Sequence, residues 1–464
     1  YFQVITHALI PAAIAYLALF FIAHIEAHKH GLVRMEESEI PPLLDTFLSG
    51  LHFLIPIASL VYLLIIERWT AGSAVFYSVL ILMLIMLGQG IRSALMVTNE
   101  TIFKGFIDGL KNIAKGMIRG AINMVSVAVA IACAGIIVGA VASTGLSNAM
   151  VEVVEVISGG NFYVLLVMVM LLCLILGLGL PTTANYLVVA ALLANVIAEI
   201  GGASGYILPL IAVHLFVFYF GLMADVTPPV GLAAYAASGI SRADPIKTGV
   251  QAFWYEIRTA ILPFVFIFNP ELLLIGVTSF WHGLTVFLFS LIAILCFTAA
   301  TQGWFVTKLK FHEILALLVV TVSLFRPDLI TGALSPEYLK ADITETNNID
   351  AKNSNVVRFK VIRNTEYGDR YKLFTFKVDG NEIIDLPKYL GFVLRKVENG
   401  YLIDSLEYNG LAKKKGLDFD DRLTSIEYQN PDQLNKYWGY VFGLVVLLIL
   451  LMEQFRRRRK KLVA

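Results

Sequence analysis

Two interrupted apolar stretches decide the fold of this chain: Gly177-Leu-Gly-Leu-Pro-Thr-Thr-Ala-Asn-Tyr186 and Ala224-Asp-Val-Thr-Pro-Pro-Val-Gly231. Each concentrates Gly, Pro, Thr and a polar side chain within sequence that is otherwise apolar enough for a bilayer. Non-helical backbone at membrane depth is tolerated only where protein buries it or where it lines a water-filled cavity. In transporters such breaks bind substrate and coupling ions. The two stretches therefore predict a protein that moves a solute across a membrane.

The composition favours the same class. Of the 464 residues, 58% are hydrophobic and only 15% are charged, which is more apolar than a soluble domain needs. The net charge of +1 provides no global basic field, so we expect no nucleic-acid partner. The three cysteines lie in apolar stretches without metal-ligand spacing, so we interpret them as small buried hydrophobes.

Apolar runs along the chain predict roughly nine to eleven membrane-embedded elements, some of them too short to cross alone and therefore hairpin arms or half-helices. Between the third and fourth runs, an amphipathic stretch over 91–119 carries spread cations and predicts a helix at the membrane interface. The apolar runs lie near 3–25, 46–66, 72–88, 121–143, 162–200, 206–222, 229–240, 251–268, 277–300, 309–325 and 437–454.

The composition changes after Phe325. Residues 335–434 carry dense charge and short alternating runs, which predict a small β-rich soluble domain. A final span over 437–454 is followed by the cations Arg456-Arg-Arg-Arg-Lys-Lys461, which predict a cytoplasmic C-terminus. The soluble domain precedes that span, so we expect it on the exterior side.

The residue types in the two breaks suit ions and carboxylates. Glycine and proline free backbone groups, and the freed carbonyls with nearby hydroxyls can bind a hard cation such as Na⁺. Half-helix N-termini offer N–H groups to an anionic substrate, and an intramembrane carboxylate is a functional candidate by default. The candidate binding residues are Gly177, Gly179, Pro181, Thr182, Thr183, Asn185, Asp225, Thr227, Pro228, Pro229 and Gly231. A kinked helix for close packing and a loop cap at the water boundary are the alternatives.

Other polar residues in the spans are interpreted as structural. His214 lies among aromatic residues and is interpreted as a hydrogen-bonded structural residue. Glu256 and Arg258 border an apolar segment and are expected to snorkel or to pair at a helix end. His312-Glu313 resembles half of a zincin motif, but Ala316 stands where the second histidine would be. We expect no organic cofactor and no metal other than Na⁺.

The order of motifs resembles the membrane subunit of a tripartite ATP-independent periplasmic (TRAP) transporter, of the fused-permease type, over residues 1–275. The motifs that carry the resemblance are Cys133-Ala-Gly-Ile-Ile-Val-Gly139 with Thr144-Gly-Leu146, Gly177-Leu-Gly-Leu-Pro-Thr-Thr-Ala184, His214-Leu-Phe-Val-Phe-Tyr219, Thr227-Pro-Pro-Val-Gly231 and Pro263-Phe-Val-Phe266.

This resemblance implies an all-α polytopic membrane protein with inverted repeats, of which the second is present. It implies a secondary transporter of the bacterial inner membrane, not an enzyme, driven by a Na⁺ gradient. The implied partners are a periplasmic solute-binding protein, a carboxylate substrate and membrane lipids. The family's first repeat has its own Pro-Pro segment and Asn/Thr-rich break, and residues 1–66 resemble the link that follows that repeat, which predicts a missing N-terminal part.

The soluble domain resembles a PDZ domain through Tyr389-Leu-Gly-Phe392, Asn409-Gly-Leu-Ala412, Gly416-Leu417 and Asp421-Arg-Leu423. The resemblance implies that the backbone of Leu390, Gly391 and Phe392 captures a peptide C-terminus beside a sheet edge. Docking of the binding protein or another subunit is the alternative.

The predicted domains are linking helices with an interfacial helix over 1–120, a transport repeat over 121–275 and additional helices over 276–330. The PDZ-like domain over 335–434 and a span with a basic tail over 437–464 follow. Two rival functions remain at this point: a membrane protease, and a scaffold or sensor with an exterior PDZ-like domain.

Overall fold

The computed structural model describes residues 2–33, 36–96, 101–144, 153, 156–159, 161–177, 182–204, 206, 208–224, 226–227, 231–341, 349–350, 356–365, 368–378, 383–397 and 400–463. Within these residues the protein consists of apolar helices and one small antiparallel sheet domain. The chain forms two compact units, Tyr1–Leu9 with Ala27–Cys133, and Ile10–Glu26 with Ala134–Ala464.

The first unit contains an irregular apolar stretch and a regular helix. Helix α1 (Phe2–Lys29) contributes its two ends to this unit. Helices α2 (Leu43–Gly50) and α3 (Leu54–Val61) are joined by the 3₁₀ turn Leu51–Phe53 and are followed by the π-helical turn Tyr62–Ile66. Helix α4 is Ala71–Met96, and helix α5 is Ile102–Thr144.

Small residues bring α4 and α5 into backbone contact. A Cβ added to Gly90 would lie 2.5 Å from the carbonyl oxygen of Gly105, and one added to Gly105 would lie 2.6 Å from the Cβ of Ala94. Larger side chains at this crossing would force the helices apart. Close approach through small residues is typical of helix pairs in membranes.

The predicted interfacial helix over 91–119 is not a separate element. Residues 91–96 end α4, and residues 102–119 begin the 43-residue helix α5. The new helix begins where the carbonyl of Thr101 accepts hydrogen bonds from the N–H groups of Lys104 and Gly105. The polar run Thr98-Asn-Glu-Thr101 interrupts the apolar sequence there, and such side chains favour helix ends over interiors.

The second unit begins its membrane part with a helical hairpin. Helices α6 (Phe162–Gly177) and α7 (Thr182–Ala203) are antiparallel, because a Cβ added to Gly201 near the end of α7 would lie 3.1 Å from the ring of Phe162 at the start of α6. The apolar run over 162–200 is therefore two hairpin arms, as its Gly-Pro interruption predicts. Helices α8 (Leu210–Met223), α9 (Leu232–Ser241) and α10 (Pro245–Phe268) follow.

Seven helices in the described part of the chain are long and apolar enough to cross a membrane. They are Gln3–Lys29, Leu43–Ile66, Ala71–Leu95, Thr182–Gly202, Pro245–Phe268, Phe280–Gln302 and Tyr437–Lys460. The shorter apolar helices Phe162–Gly177 and Leu210–Ala224 fall below the roughly 20 residues that a crossing needs. These two short helices are those that end at the predicted breaks.

Three helices lead from the transport part to the sheet domain. Helix α11 (Phe280–Gln302) is capped by the Ser279 side chain and ends at Gly303, whose φ of 65° is left-handed. Helix α12 (Phe311–Phe325) bends by 95° into helix α13 (Pro327–Leu334). Pro327 explains the bend, because it lacks an N–H group and occupies the first position of the new helix.

The sheet domain confirms the predicted β-rich segment. Its strands are β1 (Tyr338–Ala341), β2 (Ile349–Asp350), β3 (Val356–Thr365), β4 (Gly368–Lys377), β5 (Ile383–Ile384), β6 (Phe392–Val397), β7 (Gly400–Leu406) and β8 (Arg422–Gln429). The main sheet has the order β4-β3-β8-β7-β6 with β1 also on β8, and β2 pairs separately with β5. Two short helices, α14 (Leu386–Leu390) and α15 (Leu411–Lys414), complete the domain.

Alternation along β3 builds the core of this domain. Val357, Phe359 and Val361 are buried, whereas their neighbours are more exposed, because successive strand residues face opposite sides of the sheet. The buried carboxylate of Asp421 accepts two hydrogen bonds of 2.6 Å from Arg363, which raises the pKa of that guanidinium.

The last helix, α16 (Tyr437–Val463), is held at its far end by buried polar contacts. The Gln454 Oε1 atom accepts hydrogen bonds from the Thr307 N–H (3.0 Å) and hydroxyl (2.6 Å). Arg457 forms an ion pair with the buried carboxylate of Glu313. The basic tail is therefore helical, and one of its cations is part of the packed structure.

Candidate functional site

The two predicted breaks meet in space. Helix α6 ends at Gly177, and α8 is followed by Ala224. A Cβ added to Gly177 would overlap the Cβ of Ala224, so these two backbones are in direct contact. Helix α6 has 16 residues and α8 has 14, so they extend about 24 and 21 Å, less than the roughly 30 Å hydrocarbon core of a bilayer.

The starts of these helices are held together by aromatic residues. The rings of Phe162 and Tyr206 lie 5.3 Å apart, and Phe268 at the end of α10 lies 5.8 Å from Phe162. The hydroxyls of Tyr163 and Tyr206 are hydrogen-bonded at 2.9 Å. One end of the hairpin is thus held in place, and at its other end Gly177 contacts Ala224 of the second break.

Asn185 occupies the centre of the meeting point. Its side chain is completely buried, and its Nδ2 atom donates a 2.9 Å hydrogen bond to the carbonyl of Cys173 in the opposite hairpin arm. Gly177 and Gly221 leave room for this amide, since added Cβ atoms would lie 2.8 and 3.8 Å from Nδ2. The Oδ1 atom has no hydrogen-bond partner among the described residues. A buried oxygen without a partner is costly, so it indicates a place for a ligand.

The second break is built around Thr227. Its hydroxyl donates to the carbonyl of Met223 (2.8 Å), and its carbonyl accepts from the N–H of Gly231 (3.1 Å). Helix α9 then begins after Gly231. Because the Thr227 hydroxyl proton is used within its own chain segment, the lone pairs of its oxygen are available to a cation.

The two threonines of the first break face different ways. Thr182 is half-buried and lies three residues before Asn185, on the same helical face, whereas Thr183 is exposed. The structure therefore groups Thr182 with Asn185 and directs Thr183 away from it. Gly179, Pro181, Asp225, Pro228 and Pro229 lie outside the described residues, so their predicted roles remain predictions.

His214 and the Glu256–Arg258 pair lie within helices. The Nδ1 atom of His214 is 3.1 Å from the hydroxyl of Tyr186, which agrees with a hydrogen-bonded structural residue. Glu256 and Arg258 pair as expected, with Oε2 and Nη1 3.6 Å apart. Their predicted place at a helix end is wrong, because α10 extends from Pro245 to Phe268 and contains both in its middle.

The predicted peptide-binding segment lies between a short helix and an edge strand. Gly391 ends α14 with a left-handed φ of 76°, and its N–H donates to the carbonyl of Pro387 (2.9 Å). Its carbonyl accepts from the N–H of Glu407 (2.9 Å). Phe392 is buried and pairs with Leu406 at the start of β6. Both backbone groups of Gly391 are thus committed within the domain, and peptide capture remains a prediction.

The half-zincin sequence lies at the start of α12. Ligand atoms of His312, Glu313 and Glu453 all lie within 4.8 Å of one another. However, the Glu313 carboxylate already accepts from the N–H of Lys310 (2.7 Å) and pairs with Arg457. This glutamate therefore acts as a helix cap and ion-pair partner.

Each break joins a helix C-terminus to a helix N-terminus. Helix α6 ends and α7 begins at the first break, and α8 ends and α9 begins at the second, so each break has one partial negative and one partial positive helix end. The first break holds the buried amide oxygen of Asn185, and the second holds the Thr227 hydroxyl. Secondary transporters build their binding sites from discontinuous helices with such groups.

The comparisons with known families identify the chain. Residues 1–281 match the family described as "Tripartite ATP-independent periplasmic transporter, DctM component". Residues 283–460 match a domain of unknown function (DUF3394). The chain belongs to the DctM family. None of the curated proteins or solved structures matched it.

Family membership establishes the class of function. The protein is a multi-pass inner-membrane subunit of a TRAP-type secondary transporter and not an enzyme, so the protease and scaffold alternatives are not favoured. DctM components work with a periplasmic binding protein and a small DctQ subunit.

Sequence reasoning missed two parts of the meeting point, the Cys173 carbonyl and Gly221, and did not propose Ala224, the first residue of the second break, as a site residue. Gly221 could have been found from its position three residues before that break. The Cys173 carbonyl belongs to the uninterrupted apolar helix α6, and nothing in the sequence of that helix indicates a special role for this carbonyl.

Proposed function

We propose that this protein performs Na⁺-coupled uptake of organic acids that a periplasmic binding protein delivers. The observation that carries the proposal is the unpartnered, buried Oδ1 atom of Asn185 where the two breaks meet. A ligand that interacts favourably with a neutral oxygen would satisfy this atom.

The groups around Asn185 suit a small hard cation. Hard cations take oxygen ligands from amides, hydroxyls and backbone carbonyls. Asn185 Oδ1 and Thr227 Oγ1 supply two of these types, and the C-terminal ends of α6 and α8 supply carbonyl dipoles. We also propose that Thr182, on the same helical face as Asn185, contacts the cation. In this proposal Asp225 adds a negative charge that favours a cation.

The carboxylate substrate is proposed to bind on the N-terminal sides of the breaks. Helices α7 and α9 begin at Thr182 and after Gly231, and helix N-termini favour negative charge. Gly179, Pro181, Thr183, Pro228 and Pro229 are proposed to shape this backbone surface. Binding of an anion beside a cation would couple the two energetically, because each lowers the electrostatic cost of the other.

The proposed orientation places residues 335–434 in the periplasm and the tail Arg456–Lys461 in the cytoplasm. The support is the excess of cations at one end of α16, since such clusters remain on the cytoplasmic side. In this orientation the sheet domain would be accessible to the binding protein, and a peptide or subunit terminus at β6 is a further proposal.

The coupling is tested by uptake into proteoliposomes that contain this chain with its small subunit and its binding protein. We expect uptake of radiolabelled carboxylates only with an inward Na⁺ gradient, and none when K⁺ replaces Na⁺. If uptake without any ion gradient equals uptake with the Na⁺ gradient, the coupling is refuted. If a proton gradient alone supports the same uptake, the coupling ion is H⁺ and not Na⁺.

A further inference from the structure

Arg258 is a buried cation in the middle of an apolar helix. It lies in α10 and is 5% exposed, although charged residues within membrane segments are expensive and mark functional positions. Its Nη1 atom donates to the carbonyl of Tyr255. Its Nε atom is buried and has no hydrogen-bond partner in the described part of the chain.

The nearest described carboxylate neutralises this guanidinium only loosely. Glu256 Oε2 lies 3.6 Å from Nη1, which is beyond a hydrogen bond. Residues two apart on a helix point to different sides, so the contact requires both side chains to bend toward each other. Glu256 is about one-quarter exposed, whereas Arg258 is almost completely enclosed. The carboxylate therefore has room to move away, while the guanidinium does not.

Aromatic contacts show toward which end of α8 Arg258 lies. Phe268, the last residue of α10, contacts Tyr206 ahead of α8 (5.2 Å between ring centroids), whereas Phe264 contacts Phe220 near the end of α8 (5.6 Å), so α8 and α10 are antiparallel. Phe216 also contacts Phe264, at 5.3 Å. Arg258 precedes Phe264 by six residues, about 9 Å along the helix, so it lies on the side of α8 that leads to the second break.

We propose that Arg258 binds the carboxylate of the transported solute, and that Glu256 is its resting partner, which the solute displaces. A guanidinium fork matches a carboxylate with two parallel hydrogen bonds, and the unpartnered Nε atom provides one of the donors. This inference rests on the proposed function. It adds a side chain that recognises the anion at a site otherwise made of backbone.

This assignment can be tested without transport, by removing the Glu256 carboxylate and adding a small dissolved carboxylate in its place. In purified full-length protein, Glu256→Gln removes the charge partner and should lower the melting temperature. Formate, the smallest carboxylate, should then restore it in a saturable manner by more than about 4 °C, whereas neutral formamide at equal concentration should not. The wild-type protein should respond to formate less, because Glu256 competes for Arg258.

The double variant Glu256→Gln/Arg258→Gln is the matched control, and its melting temperature should not respond to formate. An equal formate response in the single and double variants would overturn the assignment, as would the absence of a formate-specific response in Glu256→Gln. If that variant does not fold, Glu256→Asp retains the charge and shortens the reach, and the same responses are expected. Because no Na⁺ gradient is present, failure here is distinct from failure of the ion coupling.

Discussion

Gly177 sets how closely the two broken helices approach each other. A methyl group at this position would overlap the Cβ of Ala224 and lie 2.8 Å from Asn185 Nδ2. Both neighbours belong to backbone-constrained, buried segments, so they cannot move aside at low cost. The absence of a side chain at Gly177 is therefore what allows the meeting point to exist.

We accordingly expect Gly177→Ala to destabilise the protein by about 1–3 kcal/mol and to reduce uptake, because overpacking displaces one break from the other. The measurement is thermal unfolding together with uptake. Gly202→Ala, in helix α7 with no atom within 4 Å of the added methyl, is the control and should be stabilising by up to about 1 kcal/mol. Equal effects of the two changes would contradict the packing argument.

The basic tail contains one cation whose role differs from its neighbours. Arg457 pairs with Glu313, which is 1% exposed, and its Nη1 atom donates to the carbonyl of Lys308 (3.0 Å). Arg458, the next residue, is exposed. Arg457 links α16 to the connection between α11 and α12, whereas Arg458 contacts solvent or lipid headgroups.

At the scale of the helix α16, we expect Arg457→Gln to lower the free energy of unfolding by about 3–5 kcal/mol, because the buried Glu313 carboxylate would lose its counter-charge. The free energy of unfolding of Arg458→Gln should remain within about 0.5 kcal/mol of that of the wild type. Thermal or denaturant unfolding of the purified protein compares them. Indistinguishable stabilities would show that Glu313 is solvated or protonated and that the pair does not anchor α16.

The elements were largely predictable from sequence, because apolar length and Gly-Pro interruptions are local signals. The hairpin arms before and after Pro181 and the strands β3 and β4 follow from such signals. The bend at Pro327 carried a signal that was missed, since proline at the first helical position followed by Asp328 is typical of a new helix. The continuous helix α5 was missed because its cations suggested an interface.

The site was predictable only in part, because pairing between distant residues has no local signal. Asn185 was a candidate from its position after Pro-Thr-Thr, but its bond to the Cys173 carbonyl depends on the hairpin packing. Arg258 appeared to end a helix because flanking charges usually do. Only the aromatic contacts of α10 show that it lies on the side that leads to the second break.

For the whole molecule, the orientation predicts a labelling pattern. Tyr408 in the sheet domain is 93% exposed, and Lys460 is exposed in the tail. In a background with Cys133, an exposed native cysteine, replaced by Ser, Tyr408→Cys should react with an impermeant maleimide in spheroplasts. Lys460→Cys should react only after permeabilisation. The reverse pattern would invert the orientation, and the buried Cys173 and Cys296 serve as internal controls.

The central claim is that the meeting point of the two breaks binds the coupling ion. Its most direct test is the Na⁺ concentration for half-maximal uptake in Asn185→Leu and Thr227→Val, with Thr285→Val as control. Thr285 makes the same 2.8 Å hydroxyl-to-carbonyl bond within α11, outside the breaks.

We predict that Asn185→Leu abolishes Na⁺-dependent uptake while the protein still folds, because leucine has a similar shape and removes the unpartnered Oδ1 atom, at the cost of one hydrogen bond to the Cys173 carbonyl. Thr227→Val should raise the required Na⁺ concentration about tenfold, the loss expected for one ligand worth about 1.4 kcal/mol. Thr285→Val should leave it unchanged. Wild-type Na⁺ dependence in both Asn185→Leu and Thr227→Val would contradict the account.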